Sequence, residues 1–269
     1  MTPSGPLSIA GRGRGERSVV VRNSVRAIII GALILVAAGA LHVWYGTEMA
    51  PFEPPSLKDY PIQGIDVSHH QGDIDWSRLA VQQEVRFAII KATEGGDFRD
   101  RKFTENWQGA KHAGIVRGAY HFFTFCRPGR DQARNVIATV PREPDTLPIA
   151  VDIEFHGNCD KVPTVDELAA ELHAFMDELD AAFPGKPIFY VDEDFHDRYL
   201  RGNEALFPEH HLWLRSIARE PKQQGCHRWS IWQFADNGSL DGIQGPVDLN
   251  VLCPSEEGFA SLFRTGGGN

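Results

Sequence analysis

The sequence predicts an α/β fold whose strands close into a barrel of the TIM type, for two reasons. First, short apolar runs alternate with amphipathic segments, which is typical of βα units around a parallel sheet. Second, the last strand candidates follow one another with little room for full helices, whereas an open wound sheet would need those crossovers. A chain of 269 residues is long enough for one such domain.

The strand candidates are runs of apolar and β-branched residues. Several are nearly continuous in Ile, Val, Leu and Phe, as expected for a parallel sheet that is covered on both faces. In chain order the candidates are IQGIDV, RFAIIK, VRGAYHFF, LPIAVDIE, KPIFYV, HLWLRS and WSIWQF, followed by VDLNV.

Two helices are predicted from their periodicity and their ends. The clearer one begins at Thr164, where Thr164 and Glu167 form a T-x-x-E capping box, and it ends at the Pro-Gly pair 184–185. Its apolar residues recur every three or four positions and make one buried stripe. An earlier helix over Phe103–His112 stops at Gly114, a residue that suits a helix C-terminus.

The first 61 residues are predicted to precede the folded domain. Residues 1–26 form a basic cytoplasmic leader, and residues 27–45 are apolar over about the length that crosses a bilayer. Arginines before this segment and Trp44 and Tyr45 at its end favour a single-pass signal-anchor in the inner membrane. A cleavable signal peptide is the alternative, because the Ala-Gly-Ala stretch 38–40 resembles a cleavage site. Residues 46–61 form a proline-rich linker, and the folded barrel spans 62–265.

Both interpretations place the body of the protein outside the cytoplasm, either on the periplasmic side of the inner membrane or secreted. The leader contributes +4 to the chain total of −9, so the body carries −13. A body this acidic is a poor partner for nucleic acid. Its four cysteines suggest two disulfides in an oxidising compartment, with three pairings possible and free buried thiols as the alternative. They are Cys126, Cys159, Cys226 and Cys253.

The residues with catalytic chemistry stand where strand candidates end. In the run IAVDIE, Asp152 and Glu154 share one face of the strand, about 7 Å apart, because successive side chains point to opposite faces. Two acids this close repel each other, so one should hold its proton to higher pH, as a general acid must. Glu154 is the better donor because it lies nearer the open end of the strand and has the longer side chain. For the pair alone, a solvated strand end or a cation ligand is the alternative.

Two further acids follow strand candidates: Asp66 in GIDVS and Asp248 in VDLN. In a barrel, residues at the C-terminal strand ends line one cleft, so these carboxylates should converge. Such a cleft stabilises an oxocarbenium-like transition state, and an acid pair suits cleavage of a glycosidic bond. Aromatic residues near the same strand ends can stack on sugar rings, although core packing is the commoner role of any one of them. They are Tyr120, Phe122, Tyr190, Trp213 and Trp232, with Tyr190 and Trp213 preferred for the cleft.

The order of motifs GIDVSHHQGDIDW, IIKATEG, GAYHFF, VDIE, IFYV, LWL, IWQF and VDLN resembles the lysozymes of glycoside hydrolase family 25 over nearly the whole domain. The resemblance implies an irregular eight-stranded β/α barrel and a muramidase that needs no cofactor. Its expected reaction is hydrolysis of the β-1,4 bond between N-acetylmuramic acid and N-acetylglucosamine in peptidoglycan. The acid of the family's D-x-E motif falls on Glu154, with Asp152 as its companion, and the family's other aspartates fall on Asp66 and Asp248. The expected substrate-binding residues are Asp248, Tyr120, Phe122, Tyr190, Trp213 and Gln233.

One position departs from the family pattern. The family usually follows its LW pair with a small residue and then an aromatic residue, whereas here Trp213 is followed by Leu214 and Arg215. This arginine is expected to change the preferred sugar substituent or peptide stem.

The resemblance implies a mechanism that retains the anomeric configuration, which has two variants. Either a carboxylate attacks directly, or the substrate's own 2-acetamido group attacks. Substrate assistance fits acids about 7 Å apart better than direct attack, which favours about 5 Å. We therefore expect Asp152 to orient the acetamido group and Asp66 to support the charge.

Two other functions are compatible with the residues. A zinc-dependent deacetylase would use Asp66 with the histidines at 69 and 70, or Glu209 with those at 210 and 211. Neighbouring strand residues face opposite ways and cannot both reach one metal, so no metal site is expected. His121, flanked by aromatics, is expected to be a hydrogen-bonded structural residue. The second alternative is a non-catalytic peptidoglycan-binding module, against which the intact acids argue.

The barrel fold favours one of the three disulfide pairings, Cys126 with Cys159 and Cys226 with Cys253. The protein is expected to be a monomer. Its expected partners are peptidoglycan glycan strands and, through the N-terminal helix, the inner membrane.

Overall fold

The computed structural model describes residues 29–41, 52–82, 85–203, 211–217, 219–221 and 229–254. It divides into two compact units, Met1–Phe52 and Glu53–Asn269. In the first unit, helix α1 spans residues 29–41. None of the helices among the described residues has the length and apolar character of a membrane span. The leader 1–26, both ends of the 27–45 segment and residues 46–51 of the linker lie outside the described residues.

The second unit contains a closed β-barrel. Its strands are β1 Gln63–Val67, β2 Val85–Glu94, β3 Phe98–Arg99, β4 Val116–Phe122, β5 Ala150–Ile153, β6 Ile188–Val191, β7 His211–Arg215, β8 Ile231–Gly238 and β9 Val247–Leu252. Eight of them form the barrel in the order β1-β2-β4-β5-β6-β7-β8-β9, and β9 pairs with β1 to close it. The short β3 pairs with the end of β2 and with no other strand of the described residues. The predicted closed barrel of eight strands is therefore confirmed.

The barrel is irregular at its last strand. Strands β1 to β8 of the barrel pair in parallel, whereas β9 is antiparallel to both β8 and β1. Residues 239–246 connect β8 to β9 without a helix. A connection this short can join only antiparallel neighbours, since parallel strands need a crossover of about a dozen residues. Between β8 and β9, a hairpin thus takes the place of a helical crossover.

Helices cover the outside of the barrel. They are α2 Trp76–Gln82, α3 Phe103–His112, α4 Gly129–Thr139, α5 Val165–Asp180 and α6 Glu193–Phe195, with a 3₁₀ turn at His69–Gln71 and a π-helical turn at His196–Leu200. Helix α3 has the predicted bounds, and Gly114 beyond its end has a φ of 72°, which glycine adopts without strain.

The longest helix, α5, begins with the predicted capping box. The Thr164 side chain accepts a hydrogen bond from the Glu167 backbone N–H, and the Glu167 carboxylate accepts one from the Thr164 backbone N–H at 2.9 Å. The following helix surface packs closely on α4, where a Cβ at Gly129 would lie 1.9 Å from the Glu171 carbonyl oxygen. A side chain at position 129 would therefore push α4 and α5 apart.

The barrel interior is filled by one apolar cluster. Its buried members are Phe87, Ile89, Leu147, Ala150, Ile188, Tyr190, Trp213, Ile231 and Leu252. Because strand side chains alternate, the residue two positions further along each strand points into the same interior, nearer the C-terminal mouth. The apolar core therefore sets which residues line the cleft. The following residues each stand two positions after a core residue and so line the cleft: Lys91, Asp152, Asp192, Arg215 and Gln233.

Candidate active site

The acid pair lies at the C-terminal end of β5. Burial first, and then repulsion from Glu154, raises the pKa of Asp152 well above its usual value. The Oδ1 atom of Asp152 is buried and has no hydrogen-bond partner among the described residues. Burial and then repulsion from Asp192 raise the pKa of Glu154 to about 7, and the positive charge of Arg215 opposes this rise. Desolvation is thus a larger cause than the mutual repulsion expected from the sequence, and Glu154 retains a proton at near-neutral pH, as a general acid must.

Asp66 lies at the same end of the barrel and accepts several hydrogen bonds. Its Oδ2 accepts from Gln233 Nε2 at 2.9 Å and from Asn250 Nδ2 at 2.8 Å. Burial raises the pKa of Asp66, and the hydrogen bonds from Asn250, Gln233 and Asp248 oppose that rise. Three donors that converge on one carboxylate favour its ionised form.

Asp248 faces Asp66 across the pairing of β9 with β1. Burial, followed by the charge of Asp66 and a hydrogen bond to it, raises the pKa of Asp248 to about 9. Asp248 therefore keeps its proton at neutral pH and donates it in a hydrogen bond to Asp66. Of the two opposed carboxyl groups, Asp66 is the one that carries the negative charge.

Two aromatic residues form the floor beneath these acids. The Tyr190 hydroxyl donates to Gln233 Oε1 at 3.0 Å, and Trp213 Nε1 donates to Asn250 Oδ1 at 2.7 Å. These bonds orient both amides so that their NH₂ groups face Asp66. The rings lie edge to face with centroids 4.7 Å apart, and only 6% of Tyr190 and 2% of Trp213 is exposed. Direct contact of either ring with substrate stays a prediction.

A lysine lies among the remaining predicted aromatic residues. Lys91 Nζ is 5.1 Å from the ring centroid of Phe122 and 6.0 Å from that of Tyr120, and it donates to Glu94 at 2.8 Å. Its positive charge lowers the pKa of both Asp152 and Glu154. Lys91 was not predicted as a site residue, although it stands two residues beyond the buried Ile89 of β2.

The loop after Glu154 is fixed to the loop after β4. Asn158 Nδ2 donates to the Glu154 carbonyl at 3.0 Å and to the Phe123 carbonyl at 2.9 Å. The predicted disulfide between Cys126 and Cys159 is present and joins the same two loops. These links hold the backbone that carries Glu154.

The second predicted disulfide is only partly described. Cys253 is disulfide-bonded, but Cys226 lies outside the described residues. The pairing of Cys226 with Cys253 therefore stays a prediction.

Removal of the disulfide by the double change Cys126→Ser and Cys159→Ser should lower stability by about 3–4 kcal/mol, because the bond closes a loop of 33 residues. For a domain of this size that corresponds to a fall of about 10 °C in melting temperature, which calorimetry measures. A melting temperature equal to that of the unmodified protein would contradict the expectation.

The described histidines of the alternative zinc sites contact other side chains. His69 Nδ1 lies 2.7 Å from Asp100 Oδ2, and His211 Nδ1 lies 2.7 Å from Ser230 Oγ. Within the described ranges, no group of three or more His, Cys, Asp or Glu side chains could hold a metal ion. Glu209 and His210 of the alternative zinc site lie outside those ranges.

His121 is structural, as predicted. Its ring nitrogens lie 2.8 Å from Thr93 Oγ1 and 3.2 Å from Gln132 Oε1. Burial lowers the pKa of His121 to about 3, so the ring is neutral. Trp232 also serves the core: it is buried, and its Nε1 donates to the Ser216 carbonyl at 2.9 Å.

Comparisons with known proteins agree with this geometry. The sequence model of the family "Glycosyl hydrolases family 25" matches residues 65–243. The protein YegX of Escherichia coli (strain K12) is 36% identical over 198 residues, which cover 72% of this chain and 70% of that one. Lysozyme M1 of Streptomyces globisporus is 30% identical over 201 residues, covering 70% and 67%.

Solved structures give the same result. A family 25 glycosyl hydrolase from Bacillus anthracis has a TM-score of 0.69 at 34% identity, covering 79% of this chain and 97% of that chain. The bacterial lysozyme from Streptomyces coelicolor has a TM-score of 0.65 at 28% identity, covering 75% and 95%. The family match spans most of the barrel and agrees with its topology, and the chain therefore belongs to glycosyl hydrolase family 25.

Proposed function

We propose that this glycoside hydrolase cleaves the β-1,4 bond between N-acetylmuramic acid and N-acetylglucosamine in bacterial peptidoglycan, with Glu154 as the general acid. The observation that supports this most is the carboxyl of Glu154, whose pKa is raised to about 7 beside a cleft lined by carboxylates. A protonated acid next to stabilising anions is what glycosidic cleavage requires. The similarity to Lysozyme M1 supports the same substrate.

In the first step Glu154 donates its proton to the glycosidic oxygen as the bond from C1 to that oxygen breaks. The carbonyl oxygen of the substrate's 2-acetamido group attacks C1 and forms a cyclic oxazolinium ion. Asp152 accepts a hydrogen bond from the acetamido N–H, which would satisfy the Oδ1 atom that now has no partner. In the second step the Glu154 carboxylate takes a proton from water, and the oxygen of that water attacks C1 from the face that the leaving group occupied. The bond from C1 to the oxazolinium oxygen breaks at the same time, which restores the acetamido group.

Asp66 stabilises the positive charge on the sugar ring in both steps. The hydrogen bonds from Gln233 and Asn250 keep its carboxylate ionised and oriented. The proton on Asp248 also prevents a second negative charge from forming beside it. Such preorganised charge requires little rearrangement during the reaction.

The rival retaining mechanism has a carboxylate attack C1 directly. The unpaired Oδ1 of Asp152 favours the substrate-assisted mechanism, because an acetamido N–H is the donor that atom lacks. The two mechanisms differ in their need for the acetyl group. If the acetamido group attacks, peptidoglycan whose muramyl residues are de-N-acetylated should resist cleavage. If a carboxylate attacks directly, the same material should still be cleaved.

The test of the proposed function is mass spectrometry of the products from purified peptidoglycan incubated with the full-length protein and then reduced with borohydride. A muramidase leaves N-acetylmuramic acid at the reducing end, so the fragments should carry a reduced muramyl residue. A deacetylase would release acetate without new reducing ends, and a chelator would stop it. A binding module would leave the wall intact, and either of these results would refute the proposal.

The proposed place of action is outside the cytoplasm. The disulfide between Cys126 and Cys159 supports this, because structural disulfides persist in oxidising compartments. Peptidoglycan also lies outside the cytoplasmic membrane, so enzyme and substrate would share one compartment.

The pH dependence of kcat/KM should be bell-shaped. The pair Asp152 and Glu154 titrates as a unit, and its active form holds one proton. Above pH 7 Glu154 loses that proton, so the rate should fall about tenfold for each further pH unit. Because the pKa of Asp152 is also raised, the acidic limb should lie above the ordinary carboxylate range of about 4. Initial rates on soluble glycan across this range would test this, and activity that stays constant from neutral to pH 9 would contradict it.

A further inference from the structure

A pocket opens where β6 and β7 end, close to the catalytic acid. Its volume is about 180 Å³, and its polar walls come from the segment after β6 and from the end of β7. The charged side chains that line it include Asp192, Glu193, Arg201, Arg215 and Arg219. The steps proposed above for bond cleavage assign no role to this pocket.

Arg215 connects the pocket to the cleft. It stands two residues beyond the buried Trp213 on β7, and its neighbour on β8 is Gln233, which donates to Asp66. The guanidinium charge lowers the pKa of Glu154 and of Asp248. Arg215 therefore lies within electrostatic range of the acids on both sides of the cleft.

The cleft presents an electrostatic difficulty to its substrate. Acidic side chains line it on several strands, and the muramyl residue carries at O3 a lactyl group that ends in a carboxylate or continues into an acidic peptide stem. An anion that approaches this cleft is repelled unless a cation meets it. Asp66 carries one negative charge, and the pair Asp152 and Glu154 carries another in its singly protonated form, whereas Asp248 is protonated.

Two described cations act on these acids, and only one is open to a ligand. Lys91 has 13% of its side chain exposed and already donates a hydrogen bond to Glu94. Arg215 has 37% exposed, and its partner Asp236, at 2.7 Å, has 44% exposed. An ion pair so accessible to water contributes little free energy, so a ligand carboxylate can replace Asp236 with little loss.

We propose that this pocket is a subsite for a carboxylate on the O3 substituent of the muramyl residue, with Arg215 as its principal ligand. The planar guanidinium binds a carboxylate through two parallel hydrogen bonds, which fixes its direction as well as its charge. Arg201 and Arg219 line the same pocket and contribute further positive potential, partly balanced by their partners Asp197 and Glu193. The inference rests on the proposed function, because it names part of the substrate.

The test compares three substrates and three full-length proteins. The substrates are native peptidoglycan, the same material with its carboxyl groups amidated by carbodiimide and ammonia, and glycan stripped of stems by an amidase so that only lactyl carboxylates remain. The proteins are the unmodified enzyme, R215Q and the control R86Q. Arg86 is an exposed residue of β2 near the opposite end of the barrel. The measured quantity is kcat/KM for release of reducing ends.

The unmodified enzyme and R86Q should lose about tenfold in kcat/KM when the carboxyl groups are amidated, the scale of one charge-assisted hydrogen bond. R215Q should lose about tenfold on native material and show no further loss on amidation. The peptide stem is attached through an amide bond of the lactyl carboxyl, so the lactyl carboxylate is free only on stripped glycan. A defect of R215Q confined to stripped glycan assigns the carboxylate to the lactyl group, and a defect confined to native material assigns it to the peptide stem. A defect on both shows that the subsite accepts either carboxylate.

A different pattern would overturn the proposal. If R215Q loses equally on native and amidated material, Arg215 acts only through the charge of the catalytic acids. If the unmodified enzyme cleaves all three substrates equally well, the subsite does not exist. Absence of cleavage of any substrate by the unmodified enzyme would instead refute the proposed function itself.

Discussion

Glu154→Gln is expected to lower kcat on peptidoglycan by about 10²–10⁴-fold, because an amide of the same shape cannot give a proton to the glycosidic oxygen. The glycan should still bind, since the change preserves the volume of the side chain. The fold should also persist: in the native protein burial and the charge of Asp192 disfavour the ionised acid, and a neutral amide avoids both costs. Reducing-end release at saturating substrate measures the rate, and sedimentation with insoluble wall measures binding.

The matched control for this variant is Glu105→Gln. Glu105 is an exposed residue of α3 whose partner is Lys102, so the same chemical change there should leave turnover unaltered. If Glu154→Gln kept more than about one tenth of the native rate, the assignment of the general acid would be wrong.

The fold was predictable because burial leaves a strong pattern in parallel strands. All eight strand candidates form the barrel, and α5 begins at the capping box that its sequence indicates. Helix α4 was not predicted, because the face that it buries includes the polar residues Gln132 and Asn135, which obscure the apolar periodicity. Burial of Gln132 leaves its side-chain amide hydrogen-bonded, because the amide accepts a hydrogen bond from the Thr124 backbone N–H and donates one to the Thr124 carbonyl. Only the tertiary structure supplies these partners.

The acids of the candidate site were predictable for the same reason, since each ends a buried run. Asn250 and Asp192 were not singled out, because a sequence does not state which strands are neighbours or how they are registered. Asn250 reaches Asp66 only through the antiparallel pairing of β9 with β1. Asp192 could have been found from the sequence. It stands two positions after the buried Tyr190, and strand residues two positions apart point to the same side.

Asp66→Asn is expected to lower kcat by about 10²–10³-fold, the scale seen when one preorganised electrostatic contact to a transition state is removed. The neutral amide cannot stabilise positive charge on the sugar ring. Its oxygen can still accept the hydrogen bonds from Gln233 and Asn250, so the floor of the cleft should keep its structure. Steady-state rates on soluble glycan would measure the loss.

The same variant should change how stability depends on pH. In the native protein the pKa of Asp248 is raised from 3.8 to about 9, so between these values the folded state binds more protons than the unfolded state and stability falls as pH rises. Burial is the largest cause of that shift, and the charge of Asp66 and the hydrogen bond to it come next. With Asn at position 66 the pKa of Asp248 should fall, and melting temperatures measured from pH 4 to 9 should decline less steeply.

Asp248→Asn separates the charge of Asp66 from the hydrogen bonds around it. The amide NH₂ at position 248 can still donate to Asp66, as the protonated carboxyl does now, so Asp66 keeps both its charge and its donors. Turnover should therefore fall by less than about tenfold, while the decline in stability between pH 4 and 9 becomes shallower because one titrating group with a raised pKa is gone. Equal losses of kcat in Asp66→Asn and Asp248→Asn would show that catalysis depends on the hydrogen-bonded pair as a unit and that the negative charge on Asp66 has no separate role.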